Sequence, residues 1–158
     1  MTSPAGIWRM LLVSVVFTAF GASQAEGQLS LVGGAAYTEA LEGQWGIDAR
    51  LGVDPPMLPI GFFGGADYFF ADCSQDCSLW GWRLGAILHT ATPGIQPYLT
   101  GAYLAREVER GGSAEKRIGV ALGAGLRVRA GFRIQAEATW EFLGGGLDHW
   151  VVRIGFGL

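Results

Sequence analysis

Beyond Ala25 the sequence has no uninterrupted apolar run of the ~20 residues that a helix needs to cross a bilayer. It also lacks a surplus of positive charge. Lys and Arg number 11 against 14 Asp and Glu, for a net charge of −3, so there is no basic stripe of the kind that binds nucleic acid. The two cysteines, Cys73 and Cys77, have no histidine close by in sequence, and two sulfurs alone make an incomplete metal site. The glycine runs are not followed by a helical pattern, which excludes a phosphate loop. What is abundant is apolar and small: half the residues are hydrophobic, 26 are Gly, and there are nine Phe, six Trp and four Tyr. High hydrophobicity without a spanning helix is the composition of a membrane barrel, whose signal is spread over many short strands.

The first 25 residues have the form of a secretory leader. Arg9 is their only charge, Met10 to Phe20 is an apolar stretch too short to span, and Ser23-Gln24-Ala25 places small residues at a cleavage site. The expected organisation is a leader over 1–25 and one barrel domain over 26–158. Loss of Arg9 with the leader takes the net charge to −4. An exported chain meets an oxidising compartment, so Cys73 and Cys77, flanking Ser74-Gln75-Asp76, are expected to form a small-loop disulfide.

From Gln44 onward the chain alternates apolar and polar residues for about ten positions at a time, then turns. The clearest stretch is Phe132-Arg133-Ile134-Gln135-Ala136-Glu137-Ala138-Thr139-Trp140-Glu141-Phe142. Side chains on a strand alternate between faces, so one face here is hydrocarbon and the other carries ions. The same reading predicts strands over 28–38, 44–53, 60–70, 79–90, 96–106, 116–129, 132–142 and 149 to the C-terminus. Both faces of the fifth are mixed, and the pattern does not fix its register. Residues 107–115 read as a charged loop tipped by Gly111-Gly112-Ser113, with Arg106, Arg110, Lys116 and Arg117 set among Glu107, Glu109 and Glu115. Short connections make neighbouring strands antiparallel. The expected fold is all-β, an eight-stranded antiparallel up-and-down transmembrane β-barrel.

Alternation alone does not say which face is inside; barrel width does. Eight strands enclose a lumen just wide enough for side chains to fill. The apolar faces carry all five tryptophans after the leader, and these would overfill it. The opposite faces are mostly Gly with ions, which fit. The inward set comprises Asp48, Asp67, Glu137 and Glu141 against Arg50, Arg83, Arg127, Arg133 and Arg153, an expected network of lumen ion pairs. With the N-terminus periplasmic, Trp45, Tyr68, Phe70, Trp80, Trp82, Trp140, Phe142 and Trp150 fall near the outer strand ends, and Phe62, Phe132 and Phe156 near the inner ends. Rings at both boundaries are the girdles expected of a membrane barrel.

On these features the chain resembles the small eight-stranded outer-membrane β-barrel proteins, the group of OmpA-like and OmpX-like barrels. Carrying the likeness are the leader, the strand count, Gln96-Pro97-Tyr98-Leu99, Leu122-Gly123-Ala124-Gly125-Leu126-Arg127, and the closing Val152-Arg153-Ile154-Gly155-Phe156-Gly157-Leu158. Members usually end on an aromatic residue read by the barrel-assembly machinery; this chain ends on Leu158, with Phe156 two before. The resemblance implies an outer-membrane location, contact with outer-membrane lipid, passage through that machinery and a monomer; from the residues themselves, no cofactor, metal or catalytic site is expected. Asp148-His149 with Ser78 or Ser113 is the one combination with hydrolase chemistry, and no Ser shares a strand face with His149. The alternatives are an exported soluble barrel around a small apolar ligand, a narrow pore, or a lipid-modifying barrel enzyme.

Overall fold

In a computed structural model of the chain, the described residues are 29–40, 43–55, 58–70, 77–90, 94–110, 113–129 and 131–158. They form eight strands: β1 Leu29–Thr38, β2 Gln44–Val53, β3 Ile60–Phe70, β4 Cys77–His89, β5 Ile95–Arg110, β6 Ser113–Arg129, β7 Arg133–Phe142 and β8 His149–Gly157. Each pairs antiparallel with its neighbours, and β8 returns to β1, so the sheet closes into a barrel with no open edge along its wall. The leader and Cys73 lie outside the described residues, as does the side chain of Cys77, and with them the expected cleavage site and disulfide.

The strands form where the alternation is cleanest. In β2, from Gln44 to Val53, buried and exposed residues alternate without a break. Trp45, Ile47 and Leu51 face out; Asp48 and Arg50 face in. The register follows the same parity round the barrel. From Leu29 the paired residues run through Val53, Phe62, Ala86, Gly101, Leu122, Trp140 and Trp150. The Trp150 carbonyl then accepts the Glu39 amide, ten residues along from Leu29. With eight strands that stagger sets a tilt of roughly 40° and a lumen only side chains can occupy.

The exterior is hydrocarbon. Leu84, Leu99, Leu122, Ile154 and Phe156 are all more than half exposed. Trp45, Tyr68, Phe70, Trp80, Trp82, Phe142, Trp150, Phe62 and Phe132 also face out, and Trp140 is half-buried against Trp150 at 5.1 Å between ring centroids.

Strands β5 and β6 correct the sequence reading. Residues 107–110 and 113–115 are strand, not loop, with Glu107 paired to Lys116 and Val108 to Glu115. The fifth strand's register is set by the same pairing: Tyr98, Thr100, Leu104 and Arg106 point inward, while Leu99 and Tyr103 point out. Pairing of β6 with β7 begins only at Val120 with Phe142. Residues 113–119 therefore extend beyond the barrel wall, bonded on one side to β5.

Opposite the chain termini, the β7–β8 connection turns through Gly144, Gly145 and Gly146, all with positive φ (69°, 63° and 79°), a conformation that side chains disfavour. Inside, Gly125 makes room for the Tyr98 ring; a Cβ there would lie 2.3 Å from a ring carbon.

Candidate functional site

The lumen is filled in layers. Nearest the end opposite the termini, buried Ala36, Phe69, Leu79 and Val151 form one apolar cluster, and Leu104, Ala121 and Leu143 another. Beneath them lies an ionic layer. A second apolar layer of Phe63, Ile87 and Tyr98 follows. A basic group closes the end where both termini emerge. The arginines lie against rings at each boundary. Arg106 stands 5.5 Å from the centroid of Phe69, Arg50 stands 4.3 Å from that of Phe63, and Arg127 stands 5.5 Å from that of Tyr98. Such contacts favour a desolvated guanidinium.

The ionic layer holds four arginines and four carboxylates, all buried: Arg50, Arg83, Arg106 and Arg153 with Asp48, Asp67, Glu137 and Glu141. Arg106 is its hub. Its Nε donates to Glu141 at 2.8 Å, one Nη reaches the same carboxylate at 2.5 Å, and both Nη atoms donate to Asp67. Arg153 donates to Asp67 at 3.0 Å, to Glu141 at 2.8 Å and to the Thr139 hydroxyl at 2.7 Å. Arg50 donates to Glu137 at 2.5 Å; Arg83 donates to Asp48 and, at 3.4 Å, to Glu137. The Tyr98 hydroxyl donates to the other Glu137 oxygen at 3.2 Å. Shared partners matter here, because a buried charge is tolerated only when others compensate it closely.

Of the residues expected in this network, Asp48, Arg50, Asp67, Arg83, Glu137, Glu141 and Arg153 come together. Arg127 and Arg133 lie apart from it, at the termini end, where both donate to Asp54 (3.1 and 3.4 Å). Arg106, placed by the sequence in a charged loop, is fully buried, because β5 continues inward-facing past that position. Asp54, one residue past the expected second strand, is also a counter-ion.

The Asp148-His149 pair has no catalytic geometry with Ser78. The Asp148 carboxylate accepts the Leu143 and Gly144 amides at 2.9 and 2.8 Å and so fastens the glycine turn. The His149 ring lies 2.7 Å from the Leu147 carbonyl oxygen and 3.4 Å from Glu141. Ser78 donates instead to Glu109 at 3.3 Å.

Placing like charge at the centre of this layer has a measurable consequence. Arg83→Glu is expected to lower the thermal unfolding temperature in detergent by about 10 °C or more, since it replaces the nearest cation of Asp48 with a new carboxylate and leaves only Arg153, at 4.0 Å. Glu109→Lys, on the exposed hairpin, should move it by no more than about 2 °C. Equal shifts from the two variants would mean the ions do not hold the barrel together.

A closed eight-stranded antiparallel barrel with an apolar outside and ions inside is the fold of the small outer-membrane barrels. No family model matches the sequence, and neither does any curated protein. Solved structures do match in shape. The N-terminal β-barrel domain of Pseudomonas aeruginosa OprF has a TM-score of 0.64 at 18% identity, covering 84% of this chain and 98% of that one. Neisserial surface protein A (NspA) also scores 0.64, at 16% identity, covering 85% and 97%. Ail, the attachment invasion locus protein of Yersinia pestis, scores 0.54 at 16% identity, covering 84% and 99%.

Proposed function

We propose that this chain is an integral outer-membrane β-barrel, a monomer delivered by a cleaved leader and folded by the barrel-assembly machinery, with a structural or surface-interaction role. One observation carries the proposal: large apolar side chains cover the outside, and the ions are sealed within. In water such a surface would drive association, since exposed apolar patches beyond a few hundred Å² are rare on soluble monomers. In lipid the arrangement reverses sign and becomes the stable one. Aromatic residues near both strand ends suit the two headgroup boundaries.

In this reading the lumen is a plug. The ionic layer fills the section, and apolar layers cap it above and below, which argues against a pore and against a cavity for an apolar ligand. Among the described residues, Ser78 donates to Glu109 while Asp148 and His149 bond to the backbone of the β7–β8 turn, an arrangement that suits a rim fastening better than a nucleophile with its base.

The part best suited to interaction is the sheet of β4, β5 and β6, with the termini periplasmic and this sheet on the cell surface. It carries Glu107, Glu109, Glu115 and Lys116 into water. Its β6 margin over 113–119 offers backbone groups to another strand, the geometry used in β-augmentation. The likeness to an attachment invasion locus protein supports a surface role for a barrel of this shape.

Cell fractionation with a heat-modifiability gel tests the assignment. The folded chain should be found in the outer-membrane fraction and migrate differently from the boiled chain. Recovery as a soluble monomer in buffer without surfactant would overturn it.

A further inference from the structure

Among the described residues, charge is distributed unevenly along the barrel axis. The central ionic layer is neutral, with four arginines on four carboxylates. At the termini end, Arg127, Arg129 and Arg133 all converge on a single oxygen, Oδ2 of Asp54, at 3.1, 3.0 and 3.4 Å. Three guanidiniums on one carboxylate leave a surplus of two positive charges.

Asp54 cannot spread over all three. Its Oδ1 is lodged against Gly61, where a Cβ would lie only 2.2 Å away. The second oxygen is therefore turned from the arginines. Arg127 is almost wholly buried, its side chain 2% exposed, and its Nε has no acceptor. The buried Gln135 side-chain oxygen nearby also has no donor. Arg129, by contrast, is 39% exposed and connects the cluster to the mouth. The result is a group of forked donors in surplus charge, open to the mouth at Arg129.

We propose that Arg127, Arg129 and Arg133 form an anion site at the termini-end mouth that takes a phosphate group beside Asp54. A phosphate monoester or inorganic phosphate carries about −1.5 to −2 at neutral pH and offsets most of the surplus, whereas the phosphodiester of a glycerophospholipid carries about −1 and offsets about half of it. Its several oxygens suit guanidinium forks better than one shared carboxylate oxygen does. The group could come from a lipid headgroup of the adjoining leaflet or from free phosphate in the compartment the mouth faces. Only the lipid source rests on the membrane assignment above.

The test uses the folded barrel in phosphatidylcholine nanodiscs, titrated with inorganic phosphate and read at the arginine Nε–H resonances. Chloride at matched ionic strength controls for screening. Saturable displacement of the Arg127, Arg129 and Arg133 signals is expected. Arg129→Gln, an exposed position that leaves the fold intact, should weaken binding about tenfold, the effect of losing one charge-assisted fork. Asp54→Asn should tighten it by removing the resident competitor.

Discs containing anionic phosphatidylglycerol separate the sources. If headgroups are the ligand, the three signals will already be displaced and added phosphate will compete at higher concentration. If free phosphate is the ligand, the isotherms in the two discs will coincide. Absence of a saturable shift in both discs, with the barrel shown folded by its gel migration, overturns the site. So does an isotherm unchanged in Arg129→Gln. A chain that proved soluble would be titrated the same way in buffer, so the site and the membrane assignment fail separately.

Discussion

Arg106→Met is expected to be the most damaging single substitution in the lumen, lowering unfolding stability by roughly 3–5 kcal/mol. Methionine has nearly the length of the arginine stem, so the change removes charge and hydrogen bonds more than volume. It takes four donated contacts from Asp67 and Glu141 at once. Arg153 remains near both, at 3.0 and 2.8 Å, and Arg83 lies 3.4 Å from Asp67, but these two arginines already serve Asp48 and Glu137 as well. The pair must then hold an uncompensated negative charge between the apolar layers or take up a proton. Glu115→Gln, which removes the exposed partner of the half-buried Arg117, should cost no more than about 0.5 kcal/mol. Urea unfolding of both variants in detergent micelles, followed by tryptophan fluorescence, provides the measurement. If the two variants unfold at the same urea concentration, Arg106 is not the hub that the geometry makes it.

A double substitution sharpens the point. Replacing one partner of a buried ion group leaves the others stranded, whereas replacing a matched set with apolar groups is often neutral. Arg106→Met with Glu141→Gln should therefore recover part of the loss. Full additivity would assign the damage to shape rather than to charge.

The strands were legible because membrane barrels write their fold in a period of two. Gly, Asp and Arg on one parity and Trp, Ile and Leu on the other placed β2, β4, β7 and β8 within one or two residues. The same parity gathered Asp48, Arg50, Asp67, Arg83, Glu137, Glu141 and Arg153 on one face. It failed at β5, where Tyr98 and Leu104 share the inner face with Arg106, and Leu99 and Tyr103 occupy the outer one. Apolar residues on both faces leave no parity to read. Farther along, Glu107, Glu109 and Arg110 resemble a loop because charged residues there occupy both parities of the strand.

A usable signal was nonetheless present. Gly-Gly is a favoured two-residue hairpin turn. A turn at Gly111-Gly112 would pair Arg110 with Ser113 and Arg106 with Arg117, and β6 parity would then have put Arg106 inside. Asp54 had no comparable signal. It meets Arg127, Arg129 and Arg133 from strands far along the chain, brought to it by the stagger of the closed barrel, which no local pattern encodes.

Leu84→Arg provides the second large effect, and it separates a lipid-facing surface from a water-facing one. Leu84 is 63% exposed and stands midway along β4, paired with Gly64 and Tyr103. On a soluble barrel an arginine at so open a position would change stability by no more than about 0.5 kcal/mol. In a bilayer the same charge at mid-depth costs about 2–4 kcal/mol, falling to about 0–1 near the boundary. Leu88→Arg, four residues nearer the termini end and paired with Ile60 and Leu99, should therefore be far milder than Leu84→Arg. Unfolding in phospholipid vesicles gives both values. The contrast between the two sites is the informative quantity, because helix or strand propensity and side-chain entropy are nearly the same in each. A steep difference places the β4 outer face across hydrocarbon, with Leu84 deep and Leu88 near the surface. Two equal and small effects would mean that water, not lipid, covers that face, and the inward sealing of the ions would then need another cause.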